Sequence, residues 1–145
     1  MRSSNTIDIR APREKIFRFV SQLERWPEWL PHYRFVRVLQ RNGERAIVNM
    51  GATRSGVPIS WVSEYWTVPE RCELHFRHLK AWTKGMDVVW TIEPEGDVCR
   101  VTIVHDQAFR VGFVAPLVEP LIGGLFIHHV AGQTLATFKR LIESQ

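Results

Sequence analysis

Residues 57–106 read VPISWVSEYWTVPERCELHFRHLKAWTKGMDVVWTIEPEGDVCRVTIVHD, and the fold is decided there. Four stretches, 57–68, 71–79, 86–96 and one running from 98 to 109, alternate apolar and polar side chains with a period of two. That period sends successive side chains to opposite faces of a pleated strand, whereas a helix repeats every 3.6 residues. β-Branched and aromatic residues dominate, as strands favour. Pro69, the loop HLKAWTKG (78–85) and the acidic turn Glu95-Gly96-Asp97 separate the stretches. Connections this short join antiparallel neighbours, because a parallel crossover needs a dozen or more residues.

The same period extends upstream. RFVRVLQ (34–40) and RAIVNMGAT (45–53) flank Asn42-Gly43, a pair suited to the positive φ angles of a hairpin turn. SNTIDIR (4–10) predicts a shorter strand that joins the sheet edge or helps close it. Between that strand and the hairpin the period changes. Ile16, Phe17, Phe19, Val20 and Leu23 form an apolar stripe at helical spacing, with Pro12 and Glu14 placed as a first turn prefers. A helix over 12–21 follows. In ERWPEWLPH (24–32), Pro27 and Pro31 punctuate a second, short helical piece. Downstream, Leu117, Leu121 and Leu125, then Leu135, Phe138 and Leu141, predict a long amphipathic helix over 114–143.

The order is strand, two short helices, six strands, long helix. It predicts an α+β fold in one domain spanning 1–145: a seven-stranded, curved antiparallel sheet wrapped around the C-terminal helix. A curved sheet cannot touch a straight helix everywhere. Space remains between them, and a ligand would sit there.

Composition narrows the function. The chain has 145 residues, 45% apolar and 23% charged, which suits a packed core and excludes disorder. Its net charge of +4 is scattered rather than clustered, so no nucleic-acid surface is expected. MRSSNTIDIR lacks the apolar core of a signal peptide. Pro116, Glu119 and Pro120 interrupt the longest apolar run, which argues against stable membrane insertion. A cytoplasmic monomer or homodimer is expected. Cys72 and Cys99 have no metal-ligand spacing and read as reduced thiols in the sheet. The glycines of IGGLF lack the context of a phosphate loop, and no cofactor or metal is expected.

Strand alternation sorts the candidate site residues. Trp61, Ser63, Tyr65 and Thr67 share one face of their strand; Leu74, Phe76 and His78 share a face of the next, opposite the wetter Glu73, His75 and Arg77. Val101, Ile103 and His105 form a third row. His78 and His105 therefore end apolar rows, either as proton-transferring groups facing the cavity or as satisfied rim residues. In the closing helix His129 lies four residues after Leu125 on the apolar stripe, which makes it a better cavity candidate than His128. Arg54, in the turn GATRSGVP, is placed either at a cavity end, where it would meet a carboxylate or phenolate, or in solvent. Trp26 and Trp29 either cap the first helix against the sheet or line the entrance, and Trp82 covers the pocket or rests on the surface.

IDIRAPREKIFRFVSQLERWPEWLPHY (7–33) and GMDVVWTIEPEGDVCRVTIVHD (85–106), with the closing LATFKRL, resemble the START-like helix-grip superfamily (SRPBCC). The likeness is to its polyketide cyclase/dehydrase and coenzyme-Q-binding branch, and it covers nearly the whole chain. It implies the same helix-grip fold and an internal cavity for a small hydrophobic molecule, lipid-like or aromatic and polyketide-like. With the alternation above, it nominates Trp29, Trp61, Ser63, Tyr65, Phe76, His78, Trp90, Ile103, His105, Leu125 and His129 as ligand-binding residues. Arg54, His78, His105 and His129 are the candidates for catalysis. Three functions stay open: a carrier of a hydrophobic ligand, an aromatase/cyclase or dehydratase, and a protein-interaction module.

Overall fold

The structure is a computed structural model that describes residues 2–107 and 125–145, apart from the side chains of Trp82 and Leu125. The predicted helical segment 114–124, with Leu117 and Leu121, lies outside the described residues. Seven strands form one antiparallel sheet: β1 (Arg2–Ile9), β2 (Tyr33–Asn42), β3 (Arg45–Arg54), β4 (Val57–Val68), β5 (Glu73–His78), β6 (Asp87–Glu95) and β7 (Val98–Asp106). Their order across the sheet is β1-β7-β6-β5-β4-β3-β2. The first two strands in sequence thus occupy opposite edges. The helices α1 (Arg13–Val20) and α2 (Trp26–Trp29) span the gap between those edges, and α3 (Leu125–Glu143) packs within the sheet. This is the predicted helix-grip topology.

Each element follows from its residues. Gly43 takes φ +65° in the β2–β3 turn, a conformation nearly free of steric cost only for glycine. Register shifts at Tyr33/Phe35 and Val38/Gln40 mark irregularities in β2, which increase local twist and bend the sheet edge. Phe35 is paired with Gly51 and lays its ring over that residue's backbone, where any Cβ would collide with it. The α3 stripe formed by Phe126, Val130, Ala131, Leu135, Phe138 and Ile142 is buried against strand residues such as Met50, Leu74, Trp90 and Val101. At about 1.5 Å per residue, α3 is long enough to serve as the axis of the whole wrap.

The outer face is ordered in rows that run across the strands. Arg45 places its guanidinium 4.0 Å from the Trp66 ring centre, and Trp66 stacks on His75, its partner on β5, at 5.4 Å and 12°. The adjacent row carries Glu64, Arg77, Asp87, Asp106 and Arg2 in cross-strand register. Within it Arg77 binds Asp87 at 2.8 Å and Arg2 binds Asp106 at 3.1 Å. Cys72 and Cys99 are buried free thiols. Among the described residues no helix is long and apolar enough to cross a membrane.

Candidate functional site

The curved sheet and α3 enclose a cavity of about 140 Å³. Its wall combines strand residues Ile59, Trp61, Phe76, Val88, Trp90 and Ile103 with Phe126, Ile127, Val130 and Ala131 of α3. Trp26 and Tyr33 close one side. Trp26 explains the tryptophan-proline segment: its Nε1 donates to the Val20 carbonyl at 3.1 Å, which satisfies an otherwise orphaned C-terminal acceptor of α1. Its ring meets Tyr33, Trp90 and Phe138 at 5.2, 5.6 and 5.7 Å. One ring therefore both caps a helix and lines the cavity.

The polar groups gather on few residues. His78 stacks on Trp61 and brings Nδ1 within 2.8 Å of Thr83 Oγ1. Its backbone N–H donates to Met86 and its carbonyl accepts from Gly85, which pins the 78–86 loop over the cavity. His105 lines the same space, and its Nδ1 is buried without a partner among the described residues. Burial lowers the His78 pKa to about 4. Burial, then the nearby His78 and His128, lowers His105 to about 3. Both rings are neutral at physiological pH and act as hydrogen-bonding groups rather than cations. Among the described residues, no Arg or Lys lines the cavity.

A second polar pair lies on the α3 side. Thr134 Oγ1 donates to the Val130 carbonyl at 2.8 Å, so its only proton is engaged, and it accepts from His32 Nε2 at 2.8 Å. His32 Nδ1 is left buried without a protein partner. Burial foremost, then His129, lowers the His32 pKa to about 4.

Of the residues nominated from sequence, Trp61, Phe76, His78, Trp90, Ile103 and His105 lie together on the cavity wall. The others do not. Trp29 packs outside the cavity on Phe19 and Phe138, with the Arg25 guanidinium 4.4 Å from its ring centre. Tyr65 turns its hydroxyl to the Ser21 carbonyl at 3.1 Å and its ring onto Phe76, tying the sheet to the end of α1. Ser63 is fully buried between Val48 and His78 in register, away from the cavity surface. His129 is exposed, because the buried stripe of α3 runs through 126, 130, 134 and 138. Arg54 ends β3 beside the turn and does not reach the cavity. The Leu125 and Trp82 side chains lie outside the described residues.

Sequence reasoning passed over His32 and Thr134. The signal was available for Thr134, a polar residue four after Val130 and four before Phe138 on the apolar stripe. Among the described residues no group of three or more His, Cys, Asp or Glu side chains could hold a metal ion.

Comparison with known proteins places this geometry. Residues 9–131 match the family model described as polyketide cyclase / dehydrase and lipid transport. A provisionally named polyketide cyclase of Streptomyces halstedii is 31% identical over 105 residues, which cover 68% of this chain and 94% of that protein. The crystal structure of TTHA0849 from Thermus thermophilus superposes with a TM-score of 0.82 at 19% identity, covering 99% of this chain and 98% of that one. The Zhui aromatase/cyclase from a Streptomyces species superposes at 0.75 with 14% identity, covering 99% and 92%. At those identities the two structures speak to the fold alone. With the family model spanning most of the sequence, the chain belongs to the polyketide cyclase / dehydrase and lipid transport family and has its helix-grip fold.

Proposed function

We propose that this protein binds a small, uncharged, ring-bearing or lipid-like molecule in the cavity between the sheet and α3. The observation that carries the reading is an apolar, ring-lined space whose polar groups are neutral imidazoles and hydroxyls. A carboxylate or phosphate there would lose its hydration with no cation to replace it. The volume also sets a scale. An apolar cavity of about 150 Å³ accepts benzene, so the space as it stands suits a single ring, and a larger ring system or a longer chain would have to widen it.

Native mass spectrometry of freshly purified protein, compared with the denatured spectrum and an organic extract, tests the proposal. A discrete extra mass released on denaturation, uncharged and apolar in the extract, is expected. Bare protein that also fails to take up small aromatic ketones or hydrocarbons from solution would refute it.

A second reading, cyclase or dehydratase chemistry on a polyketide-like precursor, draws on the family and on His78 and His105 standing together in the cavity. Catalysis ranks second because imidazoles with pKa values of about 4 and 3 are weak bases. Turnover abolished by His78→Gln in a folded protein would promote it. The interaction-module reading has least support, since Leu39 and Val57, the large apolar side chains most exposed among the described residues, lie on different strands.

A further inference from the structure

Behind His105, on the side away from the cavity, β1 and α3 bring together groups that the binding reading does not use. Ser3 pairs with His105 in register and Asn5 with Ile103, so Asn5 sits one diagonal step from His105. Asn5 Nδ2 donates to the His128 carbonyl at 3.1 Å and lies 3.4 Å from where a Cβ on Gly132 would stand. That hydrogen bond holds the amide against α3 and fixes where its other end points. That other end, Oδ1, is buried without a partner among the described residues, and so is His105 Nδ1 on the neighbouring strand. Diagonal neighbours on a sheet stand roughly 7–8 Å apart at the backbone, a separation whose side-chain gap one water molecule can bridge.

We propose that Asn5 Oδ1 and His105 Nδ1 share a single buried water, and that this water fixes the His105 proton on Nε2, facing the cavity. The donor count carries the argument. Asn5 Oδ1 can only accept. A water that donates one proton to Oδ1 and the other to an unprotonated Nδ1 satisfies both buried atoms completely. With Nδ1 protonated instead, the water would keep a proton for which, among the described residues, no other buried side-chain acceptor beside Asn5 and His105 lacks a partner. Asn5 is therefore a positioning residue, acting on the cavity through the water and the ring. The cavity end then offers an N–H donor from His105, which selects a ligand carrying a carbonyl oxygen over a hydrocarbon of the same shape. This last step rests on the cavity being the binding site; the water and the tautomer do not.

Long-range proton–nitrogen correlation spectra of 15N-labelled protein at pH 7 read the tautomer of each ring. His105 is expected with Nε2 protonated in the wild type, and that state should be lost or mixed in Asn5→Leu. It should persist in Ser3→Ala, which severs only the exposed Ser3–His128 contact of 3.1 Å. A wild-type ring protonated on Nδ1 overturns the proposal without recourse to any variant, and so does a tautomer that Asn5→Leu leaves unmoved. In parallel, acetophenone should bind about tenfold tighter than ethylbenzene, the worth of one neutral hydrogen bond, and Asn5→Leu should shrink that ratio. If neither compound binds, the cavity reading fails while the tautomer still decides the water site.

Discussion

Trp61 and His78 stack with ring centres 6.1 Å apart and planes 10° from parallel, which holds a neutral imidazole flat against the cavity wall. With His32 and His105, three buried imidazoles titrate at about 4, 4 and 3, against an ordinary value of 6.5. The unfolded chain therefore binds more protons than the folded one between those limits. Stability should be complete above pH 6.5 and should fall as the pH drops toward 4, by up to about 1.4 kcal/mol per pH unit for each imidazole. Urea midpoints between pH 7.5 and 4.5 check this, and His78→Gln should make the slope shallower. A flat wild-type profile would contradict the buried neutral rings.

Trp26 and Trp29 lie three residues apart but should behave differently. Trp26→Ala removes a fully packed ring and the donor to Val20, at a cost of about 3–5 kcal/mol. Trp26→Phe keeps most of the ring and should cost about 1 kcal/mol or more, since it strands the Val20 carbonyl. Trp29→Ala should cost about 1–2 kcal/mol and leave ligand affinity unchanged. Chemical denaturation with ligand titration separates the two positions; a loss of affinity in Trp29→Ala would place that ring at the cavity after all.

Gly51 is required by a neighbour rather than by its own backbone. Gly51→Ala would drive its methyl group into the Phe35 ring and should destabilise by about 1–3 kcal/mol. In a Phe35→Ala background the same substitution should be nearly neutral. The double-mutant cycle reads the coupling directly, and additive effects would show that the ring swings aside freely.

Ser63 buries a hydroxyl without a protein partner. Ser63→Ala removes that group at almost no change in volume, so stability should be unchanged or rise by up to about 1 kcal/mol. A marked loss in thermal denaturation would reveal a hydrogen bond that the hydroxyl makes.

The sheet was legible because period-two alternation reports directly on which face is buried. The match is closest for Val57–Val68, whose strand coincides with the predicted stretch, and for the Asn42-Gly43 turn. Alternation also put Phe76, His78, Ile103 and His105 on the inner side. It says nothing of depth, however. Ser63, Tyr65 and Trp61 share a face, yet only Trp61 borders the cavity: Tyr65 is tied to the end of α1, and Ser63 is fully buried beside it. His129 was misplaced for a different reason. Its phase was taken from Leu125, whereas Phe138, Thr134 and Val130 set the rotation of the helix and turn position 129 outward. Thr134 carried a local sign as a polar residue on the apolar stripe, whereas His32 had none, because its pairing with Thr134 links α3 to the segment before β2.

The rows on the outer face bear on how the cavity keeps its shape. Sliding β5 by two residues against its neighbours would preserve the alternation of inner and outer side chains, so burial alone opposes it weakly. The slide would carry Arg77 away from both Glu64 and Asp87 and would unstack His75 from Trp66. Charge and stacking on the wet side thus act as a proofreading ruler for strand alignment. Walls around a cavity keep their shape only if they cannot be assembled one notch out of step, and here the ruler is printed on the face turned away from the cavity.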